Sequence, residues 1–202
     1  MSQFKYPEYI EVNEKRYKIN TDFRVAIRCN DISMKNDIDT PEKVFATIFL
    51  LFGKEALEDI KQEPKLINDF GEKAITYLQC GETNDIKQKK EEPDMDFIQD
   101  MPYIEASFMS DYHIDLSDTQ MHWWKFYYLI SGLSNSEMGN CCVLNRIRSL
   151  RTTDLSKIKD VKERNKIKEA KERFALKKQK PQKTFTDEEL KAMEEYHKLI
   201  EK

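Results

Sequence analysis

The sequence predicts a mainly α fold: a helical bundle with a small N-terminal β-hairpin and a mobile C-terminal helix. Three observations carry that prediction. Of the 202 residues 35% are charged and only five are glycine, a composition of long solvated helices rather than of a loop-rich β-sandwich. Apolar residues recur at three- and four-residue spacing through most of the chain and alternate only near its start. Capping residues stand in front of several of the periodic runs. With 39% hydrophobic and 11% aromatic residues, a chain of this length has room for one real core and a second small one.

The elements follow in order. Tyr9-Ile-Glu-Val-Asn-Glu-Lys-Arg-Tyr-Lys-Ile19 alternates apolar and polar residues about a polar Asn13-Glu14-Lys15 turn, the pattern of a hairpin. A two-stranded ribbon needs a surface to lie on. Asn20 or Thr21 is placed to cap a helix bearing Phe23, Ala26 and Ile27. Thr40-Pro41-Glu42 combines a capping hydroxyl, a proline for the first turn and an acid for the helix dipole. The helix it opens, Val44 to about Phe52, is apolar nearly all round and belongs in the core. A further helix, about Pro64 to Cys80, carries Leu66, Ile67, Phe70, Ile75 and Leu78. Residues 81–96 read as a flexible linker, too polar to offset the entropy of ordering. Phe97, Met101, Ile104 and Phe108 resume the helical spacing and lead into the alternating Tyr112-His-Ile-Asp-Leu116.

Met121-His-Trp-Trp-Lys-Phe-Tyr-Tyr-Leu-Ile-Ser-Gly-Leu133 holds both tryptophans of the chain. Ser117 followed by Gln120 has the form of a capping box, which predicts a helix from Asp118 to about Ile130, ended by Gly132. Trp123, Phe126, Tyr127 and Ile130 share one stripe, and Met121, Trp124 and Tyr128 an adjoining one. So aromatic a surface reads first as core, because a nucleic-acid stacking platform interleaves its aromatics with basic residues. Here only Lys125 interrupts. Beyond it, Leu144 and Ile147 belong to a short helix, and Leu155 and Ile158 pin a turn. Asp160 with Glu163 caps a helix running to about Lys177, with a thin stripe of Ile167, Ala170 and Phe174. Its acid-before-base pairs at four-residue spacing, Asp160 with Arg164 and Glu169 with Arg173, suit an exposed helix. Lys177 to Lys183 reads as a hinge, and Thr186 with Glu189 caps a last amphipathic helix bearing Leu190, Met193, Tyr196 and Ile200. The domain division expected is therefore 1–178, a helical domain with the linker inside it, and 179–202, hinge and tail helix.

The formal charge of −3 conceals a split. Residues 1–120 carry 15 Lys and Arg against 25 Asp and Glu, whereas residues 121–202 carry 19 against 12. Within the second part, residues 146–183 hold 15 basic and 5 acidic side chains. Such asymmetry points to an acidic or polyanionic partner. Cys29, Cys80, Cys141 and Cys142 form no CxxC pair, and no histidine stands at metal-ligand spacing from them. Neither a metal, a cofactor nor a redox motif is expected, and the thiols read as reduced. The start has no signal-peptide core, and the longest apolar run, Val44 to Phe52, is about half of a membrane span. His113, His122 and His197 are scattered, and no phosphate loop, HExxH or nucleophile elbow occurs. The expectation is a soluble, intracellular protein without catalytic residues.

Four stretches carry a resemblance: Ile19-Asn-Thr-Asp-Phe-Arg24, Tyr112-His-Ile-Asp-Leu116, Met121-His-Trp-Trp-Lys-Phe126 with Ser131-Gly-Leu133, and Leu150-Arg-Thr-Thr-Asp-Leu-Ser-Lys-Ile-Lys-Asp160. They resemble the bacteriophage gene-product-fifteen family, found in the tail modules of long-tailed phages and prophages of Gram-positive bacteria. The similarity runs from about residue 7 to 176, leaving out the linker, the Cys141-Cys142 pair and everything after Lys178. The resemblance implies a siphovirus tail assembly chaperone acting in virion morphogenesis. Its expected partners are the tape-measure protein, the tail tube protein and a second copy of the chain, with no membrane. A tape-measure protein exposes long apolar helical stripes before the tube encloses it, so it needs shielding. The client surface expected here combines Trp123, Trp124 and Tyr127 with Ile167 and Phe174 as apolar grips, and Lys166, Lys168 and Lys171 to meet acidic faces. The alternative is a small nucleic-acid-binding protein using the basic segment 146–183.

Overall fold

A computed structural model of the chain describes residues 5–35, 37–82, 93–135 and 141–177, with the single positions 186, 190 and 194. It is mainly helical, with a two-stranded hairpin near the N-terminus. The expected hinge, apart from Lys177, and most of the tail helix lie outside the described residues, as does much of the linker. The chain divides into two compact units, one of residues 1–86, 120–127 and 180–202, the other of 87–119 and 128–179.

In the first unit, strands β1 (Tyr9–Val12) and β2 (Lys15–Lys18) pair antiparallel, Tyr9 opposite Lys18 and Val12 opposite Lys15. Asn13 and Glu14 between them both have positive φ, 49° and 62°, the mirror-image turn that matches the strand twist. Val12 and Tyr17 are buried, and the Tyr17 ring meets Phe70 edge-on at 4.8 Å. Phe70 belongs to helix α3 (Leu66–Leu78), so that helix helps supply the surface the ribbon needs. Helix α1 (Phe23–Met34) is capped by Asp22, not by Asn20 or Thr21: its carboxylate accepts from the Arg24 amide at 2.8 Å. Helix α2 (Thr40–Gln62) is also capped by an aspartate, here one residue earlier than expected: Asp39 accepts from Glu42 N at 2.8 Å. A carboxylate is the stronger acceptor and adds its charge to the helix N-terminus.

The expected end of the apolar helix at Phe52 is a break rather than an end. Gly53 has φ 74° and ψ −164°, a conformation closed to residues with a side chain, and the helix resumes beyond it to bury Ala56, Leu57 and Ile60. The Leu51 carbonyl at this break accepts instead from Asn20 N at 2.7 Å.

In the second unit, α4 (Met101–Tyr112) packs on α6 (Val143–Thr152) through buried Ile104, Phe108, Leu144 and Ile147. The Ser107 hydroxyl accepts from the Leu144 amide at 3.1 Å inside that contact. Tyr112 to Leu116 is no strand: His113 takes the left-handed conformation, φ 56°, and ends α4. Asp115 then accepts from both the amide and the hydroxyl of Ser117, which spends that serine in a turn. The capping box predicted at Ser117 therefore does not form, and helix α5 runs from Trp123 to Ser131, starting five residues later than predicted. A short 3-10 turn, Leu155–Lys157, stands where the pinned turn was expected. It precedes α7 (Val161–Arg173), which Asp160 caps through Glu163 N at 2.8 Å.

Candidate functional site

The aromatic cluster of the first unit is built on the entry to α5. Trp123 N donates to Thr21 O at 2.8 Å and Phe23 N to Met121 O at 3.0 Å, so the chain segments leading into α1 and α5 pair as an antiparallel bridge. His122 caps α5 with its ring: Nδ1 accepts from Trp124 N at 3.1 Å. Its Nε2, 3.0 Å from Pro7 O, is thereby left as the donor, a tautomer assigned from the hydrogen-bond network. Tyr6 stacks on the same imidazole with centroids 5.0 Å apart.

The two indoles then finish α3. Trp123 Nε1 donates to Leu78 O at 3.0 Å and Trp124 Nε1 donates to Tyr77 O at 2.9 Å. The last carbonyls of a helix have no partner within it, and adjacent tryptophans supply two neutral donors. Gly81, at φ 75°, passes so close to the Trp124 ring that a Cβ there would lie 3.3 Å from it. Trp123 is 4% exposed and Phe126, stacked on Phe23 at 4.5 Å, is fully buried. Trp124 and Tyr127 are intermediate, and Tyr128, beyond the first unit, is exposed. Of the residues nominated for the client surface, Trp123 is thus core, while Trp124 and Tyr127 retain an accessible edge.

The other nominated residues lie in the second unit, on or beside α7. No residue of that helix is buried, and Lys166 and Lys168 are exposed. Ile167 is half-buried. Lys171 is partly engaged, donating to Thr153 O at 2.9 Å. The ion pairs expected at Asp160 with Arg164 and at Glu169 with Arg173 do not form within 4.0 Å. Asp160 is occupied as the cap, the Arg173 guanidinium lies 5.8 Å from the Phe174 ring, and the helix shows Lys168 with Glu172 at 3.9 Å instead.

Phe174 is an anchor. Its ring meets Tyr103 edge-on at 6.2 Å, and its carbonyl accepts from Arg151 Nε at 2.7 Å. Three residues on, Gln99 and Lys177 exchange two hydrogen bonds, side-chain oxygen from Lys177 N at 2.8 Å and side-chain amide to Lys177 O at 3.0 Å. The segment after α7 is therefore fastened to the start of α4. Arg151 is the centre of that clasp. It meets Asp100 through both terminal nitrogens at 2.6 and 2.7 Å and also donates to Asp94 O at 2.9 Å. The side chains are 9% and 1% exposed. Burial and this bidentate pairing act on the guanidinium in opposite senses, and the Asp100 hydrogen bonds prevail, holding it above its ordinary pKa. Arg148 adds a pair with Asp94 at 2.9 Å. Sequence reading counted Arg148 and Arg151 with the basic segment. The residues that spend them, Asp94 and Asp100, stand more than fifty positions earlier, so no local signal pointed to the pairing.

Among the described residues no group of three His, Cys, Asp or Glu side chains is placed to hold a metal ion, and no helix is long and apolar enough to cross a membrane. All four cysteines are free thiols, and burial pushes the Cys80 thiol up to about 12.

The chain matches the family model described as Bacteriophage Gp15 protein over residues 5–176. It belongs to that family. No curated protein and no solved structure matches it.

Proposed function

We propose that this protein is a tail assembly chaperone that binds the tape-measure protein and keeps it soluble until the tail tube polymerises around it. The observation that carries the reading is α7. It is a thirteen-residue helix with no buried residue, yet it is capped by Asp160 at one end and followed by a fastened segment, Phe174 to Lys177, at the other. A helix held in place without being buried presents its surface. That surface carries Lys162, Arg164, Lys166 and Lys168 with half-buried Ile167 among them, a combination suited to weak, reversible contact with an amphipathic acidic helix. Membership of the bacteriophage family supports the setting. Such a role needs no catalytic group.

Co-expression with the tape-measure protein tests it directly. The wild-type chain should keep the client in the soluble fraction, Ile167→Asp should abolish this, and Lys166→Glu with Lys168→Glu should weaken it more at low salt than at high salt. Phe174 and Lys171 are unsuitable for this test, because their substitution would loosen the clasp as well as the surface. Client solubility unaffected by all three changes would sink the proposed surface. RNA or DNA binding that falls steeply with salt and vanishes with the lysines would establish the nucleic-acid alternative.

A further inference from the structure

Beside the break in α2 lies an open groove of about 830 Å3, walled by residues 18–22, residues 49–54 and residues 120–122, all within the first unit. No described residue fills it at the break itself, since a Cβ on Gly53 would meet none of their atoms within 4 Å. Phe49, Leu50 and Met121 contribute apolar surface. Lys18 and Lys54 are exposed and form no ion pair among the described residues. The groove therefore offers apolar area beside two uncommitted positive charges.

The chain contains a segment of the opposite character. Residues 186–202 carry six acids and three lysines. At 100° per residue Leu190, Met193, Tyr196 and Ile200 fall on one stripe, and Asp187, Glu194 and Glu201 recur every seven residues along one edge of it. Leu190 N donates to Thr186 O at 2.9 Å, one helical turn, and Leu190 itself is 43% exposed. A single amphipathic helix of this length is marginal alone and gains its stability by burying its stripe.

We propose that the groove beside Gly53 is the docking site of the chain's own C-terminal segment, seated as a helix with its stripe on Phe49, Leu50 and Met121 and its acidic edge toward Lys18 and Lys54. Helix-in-groove recognition matches both halves, apolar to apolar and acid to lysine. The docking is independent of the client reading.

Hydrogen exchange on the full chain tests the proposal without any client. The amides of residues 187–201 should exchange on the order of tenfold more slowly than in a free peptide of the same sequence. Lys18→Glu with Lys54→Glu should remove that protection, and among the described residues these exposed side chains have no ion-pair partner whose loss would disturb the fold. Glu194→Lys with Glu201→Lys in the same background should restore it. No protection in the wild type, or protection indifferent to the lysine changes, overturns the docking. Protection that grows with protein concentration also overturns it, because the occupant is then the tail of a second copy.

Discussion

At the C-terminal end of α3 and just before α4, hydrogen-bond acceptors are met by distant side chains of opposite chemistry. At the end of α3, in the first unit, the carbonyls of Tyr77 and Leu78 are met by the neutral indoles of Trp124 and Trp123. At the start of α4, in the second, the carboxylate of Asp100 is met by the guanidinium of Arg151, which also gathers the carbonyls of Asp94 and Phe174. Neutral donors cost little to desolvate, so the aromatic arrangement tolerates the loss of one member. A buried ion pair carries a large desolvation cost, and removing one partner strands the other. One region should therefore fail by degrees and the other all at once.

The largest effect expected is at the ionic clasp. Arg151→Met leaves the Asp100 carboxyl in a fully buried site without its guanidinium partner and should cost about 3–5 kcal/mol. Both tryptophans lie in the first unit, so during denaturant unfolding their fluorescence should keep its wild-type midpoint while the helical circular dichroism loses part of its amplitude early. A shift of both probes together would break the comparison and make the two units one cooperative body.

At the aromatic end, Trp123→Phe keeps a ring in the core but removes the donor to Leu78 O, at an expected cost of about 1–3 kcal/mol in the same measurement. Trp124→Phe should cost less. Trp124 is only half-buried, and Tyr77 O also accepts from Cys80 N at 3.0 Å. Equal losses would mean that ring packing rather than the donor matters.

Among the described residues the buried Tyr77 hydroxyl has no hydrogen-bond partner, and burial raises its pKa. Tyr77→Phe should therefore stabilise the first unit, by about 1 kcal/mol, read as a higher denaturant midpoint at unchanged slope. A loss of stability would show that the hydroxyl is satisfied in solution.

Acid should produce the smallest effect, and in both units. The Lys15 ammonium, then the Tyr17 hydroxyl, hold the Asp59 carboxyl below its ordinary 3.8. Burial pulls Asp111 upward, but hydrogen bonds from Ser110 and from the hydroxyl and amide of Ser134 outweigh it and leave that carboxyl below 3.8 as well. Depressed carboxyls contribute stability that is complete above the unfolded value and lost as pH falls through the folded one. Thermal melting should thus be insensitive to these groups above about pH 4 and decline below it. Asp59→Asn and Asp111→Asn should each flatten that decline, and an unchanged profile in both would remove the assignment.

Much of this architecture was legible locally. The hairpin follows from the alternation at residues 9–19, and α7 from Asp160 standing three residues before Glu163. The errors have local causes too. Ser117 and Gln120 satisfy the form of a capping box, but Asp115, two residues earlier, takes the serine's amide and hydroxyl first. The apolar run suggests a helix end at about Phe52, whereas Gly53 only breaks the helix, which resumes beyond it because Ala56, Leu57 and Ile60 bury a second face. The candidate surface was half legible. Lys166, Lys168 and Ile167 stand on the presented helix as their spacing implied, while Phe174 looks equivalent in sequence and is an anchor because Tyr103 and Arg151 reach it from elsewhere in the chain.

By itself the sequence determined the helical class, the N-terminal hairpin, most helix positions and the bacteriophage family, because periodicity, capping and motif all act over a few residues. The tertiary structure alone decided which of two adjacent tryptophans is core, that both indoles close α3, and that Arg151 is spent on Asp100 rather than offered to a partner. Those outcomes depend on groups 45 to 51 positions apart. Whether a charge or a ring is free or engaged is set by the neighbours that folding brings to it through space.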